Sequence, residues 1–226
     1  MTTPATADIR VVLVDDQDLF REGVRVIVDA QPGMTVVGSA ADGVEAVRLV
    51  DELEPDVVLM DVRMPEMDGV EATRQIFLPE RVSRRSRPVR VVVLTTFNLD
   101  DRAATAIRYG ASGFLLKDTT PLQLGEAIRT VHSGNAVLAP VDLTTLLDQE
   151  FRTPVQLPAS YLGLTDKERE VFDAVARGLS NTEIAGLVFA SESTVKTHVG
   201  AILRKLALRD RVQIVVFAYE HGLAGA

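Results

Sequence analysis

Residues 57–69 read VVLMDVRMPEMDG. Val57, Val58, Leu59 and Met60 form an apolar run with no polar alternation, and Asp61 ends it. A run of that kind predicts a strand buried on both faces, as in a parallel sheet covered by helices. Working outward, comparable strand candidates are Ile9–Val14, Met34–Ser39, Asp56–Met60, Val89–Leu94 and Ser112–Leu116. Helical periodicity lies between them. Leu19, Phe20, Val24, Ile27 and Val28 make one stripe, Val44, Val47 and Val50 a second, and Ile107 anchors a weaker one near 101–108. Five strands alternating with helices predict an α/β domain with a five-stranded parallel sheet.

The rhythm stops near residue 135. The chain of 226 residues is long for one domain and comfortable for two. Residues 1–134 form the α/β unit, 135–160 a linker rich in proline (Pro140, Pro154, Pro158), and 161–226 an all-α unit. Within the linker, Leu143, Leu146, Leu147 and Phe151 suit a short amphipathic helix. Four helices fit beyond it, at about 166–177, 181–188, 192–206 and 210–221, with Thr165 and Ser180 as N-caps and Gly178 as a C-cap. A composition of 46% hydrophobic and 25% charged residues is that of a soluble globular protein. Cysteine is absent, which excludes disulfides and thiolate metal sites. No apolar run approaches the ~20 residues of a membrane span, and MTTPATADIR carries no signal-peptide stretch, so a cytoplasmic protein without a membrane partner is expected. The arginines at 81, 84, 85, 87 and 90 read as a solvated loop.

In the α/β unit the polar residues of interest all stand at carboxyl ends of strands: Asp15 and Asp16, Asp61, Thr95 and Lys117. Ligands of an open parallel sheet bind along that edge. Three carboxylates meeting there need a cation, and hard oxygen ligands without His or Cys point to Mg²⁺. Lys117 adds a positive charge and Thr95 a hydroxyl donor, a set suited to a transferred phosphoryl group with Asp61 as nucleophile. Each residue alone has a plainer reading as helix cap, solvated lysine or packed threonine; five matched strand-end positions do not.

Here VLVDDQ, VVLMDVRMPEMDG, VVVLTTF and GASGFLLKD resemble the signature segments of the two-component response regulator receiver domain, over residues 8–132. The resemblance implies a flavodoxin-like fold and a sensor histidine kinase as phosphoryl donor. It implies Asp61 as phosphoacceptor, Asp15 and Asp16 as the acidic pair, and the backbone carbonyl of Arg63 as a further metal ligand. Thr95 and Lys117 match the phosphate-contacting pair, Thr95 and Phe114 the switch residues, and Met64-Pro65 with Asp68-Gly69 the turn after the acceptor strand. One departure is Asp118, where many receivers carry proline after the lysine.

In the all-α unit, Val195, Val199, Ile202, Leu203 and Leu206 form the inward stripe of the 192–206 helix. Its outward face carries Thr194, Lys196, Thr197, Gly200, Ala201, Arg204 and Lys205, small and basic residues able to approach a groove. Periodicity alone is equally consistent with an ordinary surface helix. LTDKEREV, GLSNTEIA and SESTVKTHV, however, resemble the LuxR-type helix-turn-helix over about 164–222, and the whole chain resembles the NarL/FixJ response regulators. That implies double-stranded DNA as partner, the 192–206 helix in the major groove, and Lys196 and Thr197 at reading positions. Gly200 stands where relatives are often basic. Val212, Val215, Val216 and Tyr219 form a second apolar face on the last helix, which predicts contact with a second subunit and a homodimer in the active state.

The formal net charge of −8 looks wrong for a DNA binder. Residues 1–135 hold 15 basic and 21 acidic side chains, whereas 158–226 hold 8 of each. Across 193–211, Lys196, Arg204, Lys205, Arg209 and Arg211 are opposed only by Asp210. Phosphate binding needs that local stripe, not a basic chain. Two other readings compete. A phosphohydrolase on a similar fold wants a second carboxylate two residues after the nucleophile, where this chain has Arg63. A regulator that works without phosphorylation does not account for the acidic site. The expectation is a DNA-binding regulator rather than a classical enzyme.

Overall fold

The computed structural model describes residues 8–96, 101–135 and 158–224. The chain divides into two compact units, 1–133 and 134–226. The predicted linker helix around Leu143 to Phe151 lies outside the described residues.

In the first unit the strands are β1 (Ile9–Val14), β2 (Met34–Ala40), β3 (Val57–Asp61), β4 (Arg90–Thr95) and β5 (Gly113–Leu116). They form one parallel sheet in the order β2-β1-β3-β4-β5. Val57, Val58, Leu59 and Met60 are fully buried, as an unbroken apolar run in a doubly covered strand requires. The connecting helices are α1 (Asp18–Asp29), α2 (Gly43–Leu53), α3 (Gly69–Ile76), the short α4 (Pro79–Val82), α5 (Asp101–Arg108) and α6 (Pro121–His132). α1 packs beside α6, while α2, α3 and α5 pack in series, so helices cover both faces of the sheet. The order of strands reverses between β1 and β3, which opens a crevice at their carboxyl ends. Asp42 and Asp68 start α2 and α3 by accepting from the amides of Glu45 and Glu71.

Two apolar residues of the predicted stripes face outward: Leu19 is 89% exposed and Val44 54%. Each sits in the first turn of its helix. In the arginine-rich loop Arg84 and Arg87 are exposed as expected, but Arg81 and Arg85 are not simply solvated. Arg81 and Arg85 both pair with Asp51, and Arg85 also donates to the Ile76 carbonyl at 2.7 Å. These partners are distant in sequence, so charge patterning missed them. Periodicity did not single out α3, α4 and α6, although Leu124, Ala127, Ile128 and Val131 form a buried stripe along α6.

In the second unit the helices are α7 (Ala159–Leu162), α8 (Asp166–Ala176), α9 (Asn181–Leu187), α10 (Glu192–Leu206) and α11 (Arg211–Glu220). Thr165 and Ser180 cap α8 and α9 in full capping boxes, and Gly178 follows α8 at φ 82°. The core centres on Phe172, which meets Tyr161 and Phe217 edge-on at 5.1 and 6.1 Å. α11 corrects the reading of a two-faced helix. Val212 is fully buried and Val215 and Val216 are 3% exposed within the single chain, while Tyr219 is half-buried. A helix that is apolar all round is a buried helix, and periodicity cannot separate that case from one with two working faces. No helix among the described residues is long and apolar enough to cross a membrane.

Candidate functional site

Strand geometry brings the predicted acidic residues together. Asp61 ends β3 and Thr95 ends β4, 5% and 4% exposed, and Asp15 follows β1 at 2%. Asp16 is exposed at the rim. Carboxylate oxygens of Asp15, Asp16 and Asp61 lie within 4.8 Å of one another. Lys117 follows β5, its amide anchored to the Thr95 carbonyl at 2.7 Å. Its ammonium stands 2.6 Å from Asp15 Oδ2 and 3.0 Å from Asp61 Oδ2. The pocket, about 270 Å³, is lined by Asp16, Asp61, Arg63, Thr95, Thr96 and Lys117 among others. Phe114 is half-buried on β5.

Burying charge is costly unless it is paired. Burial pushes the Asp61 carboxyl above its ordinary value; Lys117 works against that shift and Asp15 adds to it. Burial also works against the Lys117 ammonium, but Asp15 and Asp61 together hold its pKa above the usual lysine value. The Arg63 amide is hydrogen-bonded to the Asp61 carboxylate. Asp15 Oδ2 is buried, with the Lys117 ammonium as its partner. One ammonium set among three carboxylates leaves net negative charge for a second cation to balance, and all-oxygen donors suit a hard divalent one.

Two residues shape this pocket in ways motif matching alone did not explain. A Cβ on Gly69 would lie 1.9 Å from the Asp61 carbonyl oxygen, and the Gly69 amide donates to the Val62 carbonyl at 3.0 Å. Only glycine lets the chain turn back so close to the acceptor strand. Phe20 places its ring 4.8 Å from Lys117 Nζ. Periodicity had assigned it to a core stripe, and a strand-end lysine gives no signal of what lies beneath it.

In the second unit, α10 starts at Ser191, whose Oγ accepts from the Thr194 amide at 3.1 Å. Val195, Ile202 and Leu206 are buried, and Val199 and Leu203 half-buried. Thr194, Lys196, Thr197 and Arg204 are exposed; Arg209 is half-buried. Lys205 sits differently from the sequence expectation. Its ammonium is 2.6 Å from Glu168 Oε2, a carboxylate 8% exposed that also accepts from the Thr165 amide at 2.7 Å. Arg211 does not face outward with the basic stripe. That side chain is buried, donating to Asn181 Oδ1 at 2.8 Å and to the Leu179 carbonyl, and burial pushes its pKa down to about 10. It ties α11 to the α8–α9 turn and offers nothing to a phosphate.

Residues 11–129 match the response regulator receiver domain family, and residues 162–218 match the bacterial regulatory proteins of the luxR family. The chain is similar to the transcriptional regulatory protein YxjL of Bacillus subtilis, with 44% identity across 95% of this chain and 97% of that protein. It is also similar to LiaR of the same organism, at 38% identity across 95% and 99%. Among solved structures, the response regulator ChrA of a heme-sensing two-component system has 32% identity and TM-score 0.50, covering 96% of this chain and 100% of that one. A LuxR-family response regulator from Aurantimonas gives 34% identity and TM-score 0.54 over 64% of this chain and 99% of that one. With a receiver-type sheet, an acidic strand-end pocket, a helix-turn-helix unit and these relatives, the chain belongs to the LuxR-type response regulators, the DNA-binding transcription regulators of two-component signalling systems.

Proposed function

We propose that Asp61 accepts a phosphoryl group from a sensor histidine kinase and that this switches DNA binding by the second unit. The observation that carries the reading is the buried convergence of Asp15, Asp61, Thr95 and Lys117 at the β1/β3 crevice. An Asp61 carboxylate oxygen forms the bond to phosphorus as the bond from phosphorus to the donor's imidazole nitrogen breaks, its electron pair staying on nitrogen. Lys117 and the Thr95 hydroxyl meet the phosphoryl oxygens. Asp15, Asp16, Asp61 and the Arg63 carbonyl are the residues to hold Mg²⁺. A hard divalent cation there screens three carboxylates from an incoming anion. Reorientation of Thr95 and Phe114 on phosphorylation carries the change to the domain surface. The acyl phosphate is then lost slowly by self-catalysed hydrolysis: water attacks phosphorus, the bond to the Asp61 oxygen breaks, and the carboxylate and inorganic phosphate are released.

In the DNA complex, α10 enters the major groove with Thr194, Lys196 and Thr197 toward bases and Arg204 and Arg209 toward phosphates. Active subunits pair through α11. Because Val212, Val215 and Val216 are buried in the single chain, the paired state must differ from it at that helix. The protein works in the cytoplasm. The test is labelling by acetyl phosphate with Mg²⁺, mapped by mass. Asp61→Ala should abolish the shift, as should chelation of the metal; undiminished labelling of the variant sinks the assignment.

A further inference from the structure

We propose that Phe20 is a positioning residue for phosphoryl transfer, its ring face steadying the Lys117 ammonium; this rests on the reading of Asp61 and Lys117 above. An ammonium carries three N–H donors. In this pocket two of its directions are met by Asp15 at 2.6 Å and Asp61 at 3.0 Å. The Phe20 ring lies at 4.8 Å, inside the ~6 Å reach over which a ring quadrupole attracts a cation. The lysine side chain is only 8% exposed, so bulk water is a poor substitute for the ring.

The three partners differ in what happens to them during the reaction. Formation of the acyl phosphate removes the charge from the Asp61 carboxylate, and Asp15 is a carboxylate the cation site also claims. The ring neither titrates nor ligates. It keeps its attraction for the ammonium when both carboxylates are otherwise engaged, and because a π-face is a weaker partner than an oxygen lone pair it leaves N–H donors for the phosphoryl group. Phe20 reaches the site from the first turn of α1, immediately after the β1 end that supplies Asp15 and Asp16, so a single segment presents both acid groups and ring.

The experiment uses the full chain with acetyl phosphate and Mg²⁺. Phe20→Leu should lower the apparent second-order rate constant for Asp61 labelling three- to tenfold, and Phe20→Tyr should restore it. Fluorinated phenylalanines placed at position 20 keep the shape but weaken the ring quadrupole, and the rate should fall in steps with fluorine number. A spectroscopic signature accompanies the kinetics. The chain has four lysines, Lys117, Lys167, Lys196 and Lys205, so ¹³C-lysine labelling gives few ε-CH₂ signals. One should be displaced upfield by the ring and return in Phe20→Leu.

Parental rates across the fluorinated series would overturn the proposal, whatever Phe20→Leu does, because they reduce Phe20 to packing. If Phe20→Leu does not fold, the isosteric series still decides. Lys117→Met separates the levels. Slow labelling in that variant with a flat Phe20 series overturns only the positioning role, while parental labelling overturns the phosphoryl-site reading and this inference with it.

Discussion

Replacing Lys205 by methionine tests whether that lysine holds α10 in the fold or spends its charge on DNA. The ammonium lies 2.6 Å from a Glu168 oxygen, with side-chain exposures of 34% for the lysine and 8% for the glutamate. A hydrogen bond to a buried charged group contributes about 1.5–3 kcal/mol, and a fully exposed ion pair at most about 1. With one partner a third exposed and the other buried, Lys205→Met should destabilise the unit by about 1–2 kcal/mol. Hydrogen exchange of the α8 and α10 amides reads this directly, as roughly five- to thirtyfold faster opening. Glu168→Gln should act similarly, and the double variant should cost less than the two losses added, because both singles break one contact. DNA binding supplies the counter-test. If Lys205 serves the scaffold, the slope of log affinity against log salt stays at the parental value. A slope reduced by about 0.9 with unchanged exchange rates would refute the reasoning and return Lys205 to the phosphate contacts.

The same pair sets a pH response. Lys205, then the Thr165 amide, hold the Glu168 carboxyl at about 2, below the usual 4.5, so its contribution is present above pH 4.5 and is lost as the pH falls toward 2; Glu168→Gln should flatten acid unfolding of the helical unit over that window, and an unchanged acid limb would count against the pair. Gly69→Ala forces a Cβ to 1.9 Å from the Asp61 carbonyl oxygen and should cost about 1–3 kcal/mol in thermal melts of the receiver unit while slowing labelling by acetyl phosphate; a parental melt contradicts the crowding. Val216→Glu places a carboxylate at a position 3% exposed and should destabilise its unit by about 3 kcal/mol or more, seen as lost helical circular dichroism rather than a clean loss of pairing; a fully folded variant would restore the outward face. Lys196→Ala should weaken a specific operator by about 1–3 kcal/mol and random DNA far less, and equal losses on both make it a phosphate contact.

What the sequence determined by itself was whatever chain-local physics encodes. Apolar runs without alternation marked five buried strands, and residues at their carboxyl ends were bound to meet, because a parallel sheet aligns those ends whatever the connecting helices do. Capping boxes at Thr165 and Ser180 were equally local, since donor and acceptor lie three residues apart. Tertiary structure alone decided which basic side chains find carboxylate or carbonyl partners far along the chain. Lys205 and Glu168 are 37 residues apart, and Arg211 lies 30 from Asn181 and 32 from Leu179, so no periodicity could join them. Long flexible side chains find partners across the fold, and Arg211, read as part of the basic stripe, is buried among them. The burial of α11 followed the same rule: composition revealed an apolar helix, but only packing decided that Val212, Val215 and Val216 are covered in the single chain. Phe20 looked like any core residue until the sheet placed Lys117 above its ring, a contact between residues 97 positions apart that depends on how α1 and β5 converge on the same edge.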